Sequence, residues 1–284
     1  GLSDGPFLTS RTIFDLPTLP QRLAIIGGGV IGAELGQAFR RLGSVVALVD
    51  PAGLLPGADA DARHVLRQTL LAEGVELFEG RKISHVDYGD VGGRLRLAGT
   101  PAMVWPFDRL LVATGRQPNL AGLGLERAGI AATDRGITVS GPCRTSNRRV
   151  YAIGDCIDGP GSTQAAADQA GLVVRHALFM LPGRFEPSLV PRLIYADPEI
   201  ASVGLSEAEA RAHDPAARTM RMPFSENDRA RIEGATQGFA KLMLDRKGRI
   251  LGVVIVGRQA GDLITPWTLA LRQKLGAREM AALT

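Results

Sequence analysis

Short apolar runs alternate with longer stretches whose apolar positions recur every three or four residues, and glycine marks most of the junctions. Leu23 to Ile26 is a compact run rich in β-branched residues, the pattern of a strand buried on both faces. Six residues, Gly27 to Gly32, follow it directly, and the stretch Ala33 to Leu42 then has helical periodicity and stops at Gly43. Ser44 to Val49 predicts a second strand, closed by Asp50. The alternation continues with a helix over about Asp59 to Glu73, a strand from Val75 to Phe78, and short strands between glycine-rich turns, among them Gly92 to Leu97. Arg109 to Ala113 is a further apolar strand, running straight into the turn Thr114 to Asn119. Strand and helix in strict alternation predict a doubly wound α/β sheet.

The glycines at 27, 29 and 32 have the G-x-G-x-x-G spacing, between a strand and a helix. The first permits the tight turn, the second admits a pyrophosphate close to the backbone, and the third lets helix and strand approach. A helix N-terminus placed there offers free amides and a partial positive charge to phosphates. Asp50 lies 18 residues past Gly32, near the roughly 20 expected of the acid that bonds an adenosine ribose. A carboxylate facing the 2′ position accepts a hydroxyl and repels a phosphate. Arg40 and Arg41 precede the second strand on a helix and no Arg closely follows Asp50, so NAD is favoured over NADP.

Composition adds bounds. At 284 residues the chain suits about two compact domains. With 45% hydrophobic and 22% charged residues it is ordinary for a globular protein. The net charge is +4, and 29 of the 33 basic residues are Arg, a side chain suited to phosphates, although a codon bias produces the same excess. Acidic residues are interspersed and no long basic run occurs, which argues against a nucleic-acid partner. Cys143 and Cys156, 13 positions apart, have neither redox-pair nor zinc spacing. They suggest a reducing, cytoplasmic setting and no metal site. No leader is visible, and the longest apolar runs, such as Leu251 to Val256, are far too short to span a bilayer. Gly1 to Pro20 reads as the tail of a preceding unit, and Met280 to Thr284 breaks off in a helical pattern without a stop signal.

Five segments in a fixed order resemble the pyridine nucleotide–disulfide oxidoreductases, in particular their dihydrolipoamide dehydrogenase and mercuric-reductase-like members. They are Thr12 to Pro17 leading to Leu23 to Glu34; Leu111 to Asn119; Val150 to Asp155; Asp197 to Leu205; and Gly238 to Lys241 with Ile250 to Gly252. The resemblance implies a nicotinamide-dinucleotide domain at 21–112, part of an FAD domain at 1–20 and 113–181, and an α+β dimerisation domain at 182–284. It implies that Gly27, Gly28, Gly29, Val30, Ile31 and Gly32 cradle the pyrophosphate of NAD, that Asp50 holds its ribose, and that Ile83 and Gly115 line that pocket. Glu34 is then near the nicotinamide and flavin; without the resemblance it reads as a solvated helix carboxylate. Thr114, Asp155, Gly161, Ser162, Thr163 and Gln164 fall to FAD, with Arg149 to Ile153 as a strand and a helix from near Ser162 whose N-terminus approaches the flavin ring. Interface strands are expected near Arg192 to Tyr195, Ile200 to Gly204, Thr219 to Pro223, Phe239 to Asp245 and Ile250 to Val256. Helices are expected over Ser206 to His213, opened by a Ser206–Glu209 capping box, and over Gln259 to Leu275. On the latter, Leu263, Trp267, Ala270, Leu271 and Lys274 form a stripe suited to a homodimer contact, with Trp267 either an anchor there or a core residue.

The family also implies parts not found here. A first Gly-rich FAD turn and a redox cysteine pair belong before Gly1, and an acid–base His beyond Thr284. No catalytic residue is therefore visible, and His64, His85, His176 and His213 match no family motif. Gln164 stands where dihydrolipoamide dehydrogenases carry His. The expected activity is passage of electrons between NAD(H), FAD and a small-molecule or disulfide acceptor, with this chain alone inactive. An NADH oxidase or ferredoxin-reductase type without the disulfide, and a non-catalytic NAD-binding dimerisation module, stand as alternatives.

Overall fold

A computed structural model describes residues 1–159 and 161–283. The chain forms β1 (Arg22–Ile26), α1 (Val30–Leu42), β2 (Val45–Asp50), α2 (Ala60–Ala72), β3 (Glu76–Glu79), β4 (Ile83–Tyr88), β5 (Gly93–Leu97), β6 (Met103–Phe107) and β7 (Arg109–Val112). A short hairpin, β8 (Ala132–Thr133) and β9 (Gly136–Ile137), precedes the long helix α3 (Thr163–Phe179). Then come β10 (Arg192–Ile194), β11 (Glu199–Gly204), α4 (Glu207–His213), β12 (Arg218–Pro223), α5 (Asp228–Ile232), β13 (Phe239–Leu244), β14 (Ile250–Gly257), α6 (Ala260–Arg272) and α7 (Ala277–Ala281).

The first sheet is parallel, in the order β3-β2-β1-β7. Its strands are apolar on both sides, and alternate residues go to different layers. Leu23, Ile25, Val46 and Leu48 pack with α1 and α2, whereas Ala24, Ala47 and Val49 pack against Leu95, Trp105 and Phe107 of the antiparallel sheet β4-β5-β6. Covering both faces is what a parallel sheet requires. The helical layer is covered in turn by the five-stranded antiparallel sheet β10-β11-β14-β13-β12, whose Val254, Val256, Phe239 and Met243 join the same core. The opposite face of that sheet, with Val253, Ile255 and Ala201, packs on α6. The alternation within β14 thus serves two layers, one side chain set facing the helical layer and the other facing α6.

Two expectations change. Arg149 to Ile153 forms no strand: Tyr151 makes one isolated bridge, to Arg144, and no second strand lies alongside among the described residues. An extended segment becomes a strand only when a ladder pairs it. The stripe on α6 turns mostly inward, with Ala270 buried and Trp267 and Leu271 packed on the domain's own sheet, while Leu263 and Leu269 stay exposed. Lys274 lies beyond α6 in a left-handed conformation and shares no helix face with them. The last element is α7, with Ala282 as its C-cap; Thr284 lies outside the described residues. No helix among the described residues is long and apolar enough to cross a membrane.

Candidate functional site

The carboxyl edge of the parallel sheet is built for close backbone approach. Gly27 has φ +115°, and a Cβ there would lie 2.4 Å from the Ala113 carbonyl oxygen. A Cβ on Gly32 would lie 1.9 Å from the Gly27 oxygen, so the helix can start tight against the strand only with glycine. Gly29 has nothing within 4 Å of its missing side chain. It is the cap of α1 and supplies no side-chain acceptor, which leaves the first-turn amides of Val30 and Ile31 available to an anion. An open cradle beside uncapped amides fits a pyrophosphate. Asp50, at the end of β2, accepts the Gly28 amide at 2.7 Å and the Ala52 amide at 2.7 Å, which ties the glycine turn to the loop after β2.

Thr114 and Gly115 are exposed just past β7, beside Gly27. Ile83 opens β4 and packs with Ile26, Phe78 and Val112 against the core beneath the small sheet. It is part of a wall on that side of the sheet, apart from the Gly28–Asp50 contact.

Glu34 is held rather than solvated. One carboxylate oxygen accepts the Tyr195 amide at 2.7 Å, and burial pushes its carboxyl up from the ordinary range, partly offset by that bond. The Tyr195 hydroxyl in turn accepts from the Gln164 side chain at 3.1 Å. A polar chain thus runs from α1, through the segment after β10, to the first turn of α3. Two further α1 residues grip the same segment: Gln37 accepts the Asp197 amide and donates to its carbonyl, both at 2.7 Å, and Arg41 pairs with Asp197 at 2.8 Å. Glu34, Gln37 and Arg41 stand at i, i+3 and i+7, one helix face. That polar stripe was legible as a pattern, but Tyr195 as its partner was not.

On the other flank, Ser162 caps α3 by accepting the Ala165 amide at 3.1 Å, with Thr163 and Gln164 in the first turn. Gly154, with φ +73°, turns the chain into Asp155. Asp155 remains exposed and pairs with Arg116 at 3.0 Å, while Arg116 also donates to the Gly161 carbonyl at 2.5 Å. Asp155, Gly161 and the α3 terminus therefore converge, joined by Arg116, which sequence reasoning left unassigned. Buried Gln169 accepts the Gly154 amide at 2.7 Å, and its amide nitrogen has no partner among the described residues. This group fits one flank of a flavin cofactor: an exposed acid, a glycine turn and a helix N-terminus.

Cys143 and Cys156 are both free; Cys143 is buried, which pushes its thiol up, and Cys156 donates to the Ile153 carbonyl at 3.1 Å. The histidines do not converge. His85 lies 3.5 Å from Asp87, the His176 Nδ1 is 2.8 Å from the Tyr151 hydroxyl, and His64 and His213 are exposed.

Sequence comparison places the chain in a family. Residues 3–170 match the family described as pyridine nucleotide-disulphide oxidoreductase, and residues 190–284 match its dimerisation domain. The chain belongs to this family. The family uses FAD and NAD(P)H. Similar proteins include a mercuric reductase of Acidithiobacillus ferrooxidans, 36% identical over 99% of this chain and 51% of that protein. A dihydrolipoyl dehydrogenase 3 of Pseudomonas putida is 33% identical over 96% of this chain and 60% of its own length. Among solved structures, LpdA from Mycobacterium tuberculosis superposes with a TM-score of 0.89 at 33% identity, covering 98% of this chain and 61% of that one. The HOCl-induced flavoprotein disulfide reductase RclA from Escherichia coli gives 0.85 at 27% identity, with coverages of 97% and 64%. The chain spans between 51% and 60% of the length of these two curated relatives.

Proposed function

We propose that this chain is the nicotinamide-binding and subunit-pairing part of an FAD-dependent NAD(H) oxidoreductase with a disulfide-type acceptor, as in dihydrolipoamide dehydrogenase. The units are 21–112 for the dinucleotide, 1–20 with 113–181 for one flank of FAD, and 182–284 for pairing with a second copy. The observation that carries the reading is the polar chain Glu34–Tyr195–Gln164, which joins the dinucleotide helix to the flavin-side helix terminus. The chemistry supplied by the bound cofactors is hydride exchange at the nicotinamide and a two-electron relay through the flavin.

The chain's own residues bind and orient. The open space at Gly29 and the amides of Val30 and Ile31 take the pyrophosphate. Asp50 takes the adenosine ribose and disfavours a 2′-phosphate, so NAD is the preferred nucleotide. Glu34 carries a carboxyl that favours its protonated form more than a solvated one does, at the point where the two cofactor sites meet. Asp155 and the first turn of α3 orient the flavin from one side, and a helix N-terminus stabilises negative charge there. Exposed apolar residues on the outer domain, Leu263 and Leu269 among them, are suited to burial against a twofold mate.

Calorimetric titration tests the reading: NAD should bind the full chain, and NADP more weakly. Equal or inverted affinities overturn the NAD preference, and no binding of either overturns the dinucleotide site. Sedimentation at micromolar concentration should give a dimer, and a clean monomer near 30.1 kDa overturns the pairing.

A further inference from the structure

The adenosine end of the cradle contains a second acid. Glu79 ends β3 directly opposite Asp50 at the end of β2. Both acids hold the turn between them: Asp50 accepts the Ala52 amide at 2.7 Å, and Glu79 accepts the Leu54 amide at 3.0 Å. Gly53, at the centre of that turn, has φ +84°, and a Cβ there would sit 3.2 Å from the Glu79 carboxylate. The other Glu79 oxygen accepts a close hydrogen bond from the Arg67 guanidinium. Arg63, one helical turn earlier on the same face of α2, makes no side-chain hydrogen bond or ion pair among the described residues. Arg63, His64, Arg67, Ala60 and Glu79 line one open hollow of about 400 Å³.

We propose that Glu79 is a second determinant of cofactor choice, acting beside Asp50 by holding Arg67 away from an incoming 2′-phosphate. The inference rests on the dinucleotide reading above and adds a positioning residue to it. Asp50, Glu79, Arg63 and Arg67 balance as two negative and two positive groups, so the corner offers a phosphate no net attraction. Removing the Glu79 charge leaves an excess of positive charge and a guanidinium pair one turn apart, the geometry that recognises phosphate. The turn itself should survive in Glu79→Gln, because the amide oxygen still accepts from Leu54.

The test measures NAD and NADP affinity of the full chain by calorimetry. In Glu79→Gln the NADP-to-NAD affinity ratio should rise about tenfold, the effect of one new charge-assisted hydrogen bond. Adding Arg67→Met should return the ratio to that of the wild type. A purely structural Glu79 would move both affinities together; that result, or a gain that persists without Arg67, overturns the inference while NAD binding by the wild type still supports the dinucleotide site. A wild type that binds neither nucleotide overturns both.

Discussion

Residues 22–112 and residues 113–181 each contain a glycine turn, an acid and a helix N-terminus, yet only the first set stands on a finished platform. In the first, β1 and β2 are buried on both faces, by α1 and α2 on one side and by the small sheet on the other. In the second, the buried apolar cluster is Ile137, Ala152 and Ile157, with Cys143 buried outside it, and α3 buries only Ala165 and Gln169 of its 17 residues. Val174, Leu178 and Phe179 of α3 are exposed, and the amide nitrogen of Gln169 is buried without a partner among the described residues. The same local motif stands on a sheet covered on both faces in the first region and on a thinly packed segment in the second. Precise placement of amides depends on what packs behind them.

The sharpest break between the two regions should be in cofactor retention. The isolated chain should bind NAD yet hold FAD weaker by orders of magnitude than a two-sided site, since each charge-assisted hydrogen bond lacking on the open flank contributes roughly 1.5–3 kcal/mol. Absorbance of the purified protein checks this, and a yellow preparation with stoichiometric flavin would overturn the contrast.

The next effect concerns what fastens the finished platform. Lys241 of β13, 4% exposed in its side chain, reaches Asp59 at 2.8 Å, Asp61 at 2.7 Å and Glu207 at 3.4 Å. Asp59 also caps α2 by accepting the Asp61 and Ala62 amides. Lys241→Met should cost about 3 kcal/mol in urea unfolding, because it leaves buried acid unpaired. Burial works against the Lys241 charge, but Asp59 and Asp61 outweigh it and raise its pKa above the ordinary 10.5; the Lys241 hydrogen bond lowers Asp61 below 3.8. The clamp's contribution should therefore be lost as pH falls through the depressed Asp61 value, and lost again as pH rises through the elevated Lys241 value. A stability difference between wild type and variant that is flat across both limits would contradict the assignment.

A smaller change is expected at the ribose. Asp50→Asn removes the charge but keeps an acceptor for one of the two amides, and should narrow the NAD-over-NADP preference about tenfold. An unchanged ratio would move the discrimination elsewhere in the corner. The smallest effect is at the junction of the two regions. Burial raises the Glu34 pKa above 4.5 in the folded chain, partly offset by the Tyr195 amide, so ionising this carboxyl costs more in the folded chain than in the unfolded one. The relative stability that Glu34 lends is present below 4.5 and lost as pH rises through the elevated folded value. Glu34→Gln keeps the acceptor for Tyr195 and should melt slightly higher than wild type at pH 7, with the gap closing in acid. A lower melting temperature at pH 7 would show that the charge is favourable there.

Much of this was legible in sequence because it is settled within a few residues. The turn from Leu23 to Gly32, the acid after β2 and the stop at Gly43 follow from local backbone demands, and Gly43 indeed caps α1 in the left-handed region. The Ser206–Glu209 capping box formed as its spacing predicts, with both reciprocal bonds present. Pattern was less reliable where the partner was remote. Arg149 to Ile153 has a strand's residues but no ladder, and the stripe on α6 is apolar because its own sheet covers it, so Trp267 packs inward.

By itself, then, the sequence determined most of the elements of the dinucleotide and pairing regions, the glycine cradle and the family, since these depend on φ preferences, hydrophobic period and hydrogen bonds closed within a turn or two. Only the tertiary structure decided which charges meet. Arg67 with Glu79, Glu34 with Tyr195 161 positions away, and Lys241 with Asp59 182 positions away are products of layer packing. A side chain's pattern tells which face it occupies, whereas its partner is set by whichever distant element the buried apolar surface brings against that face.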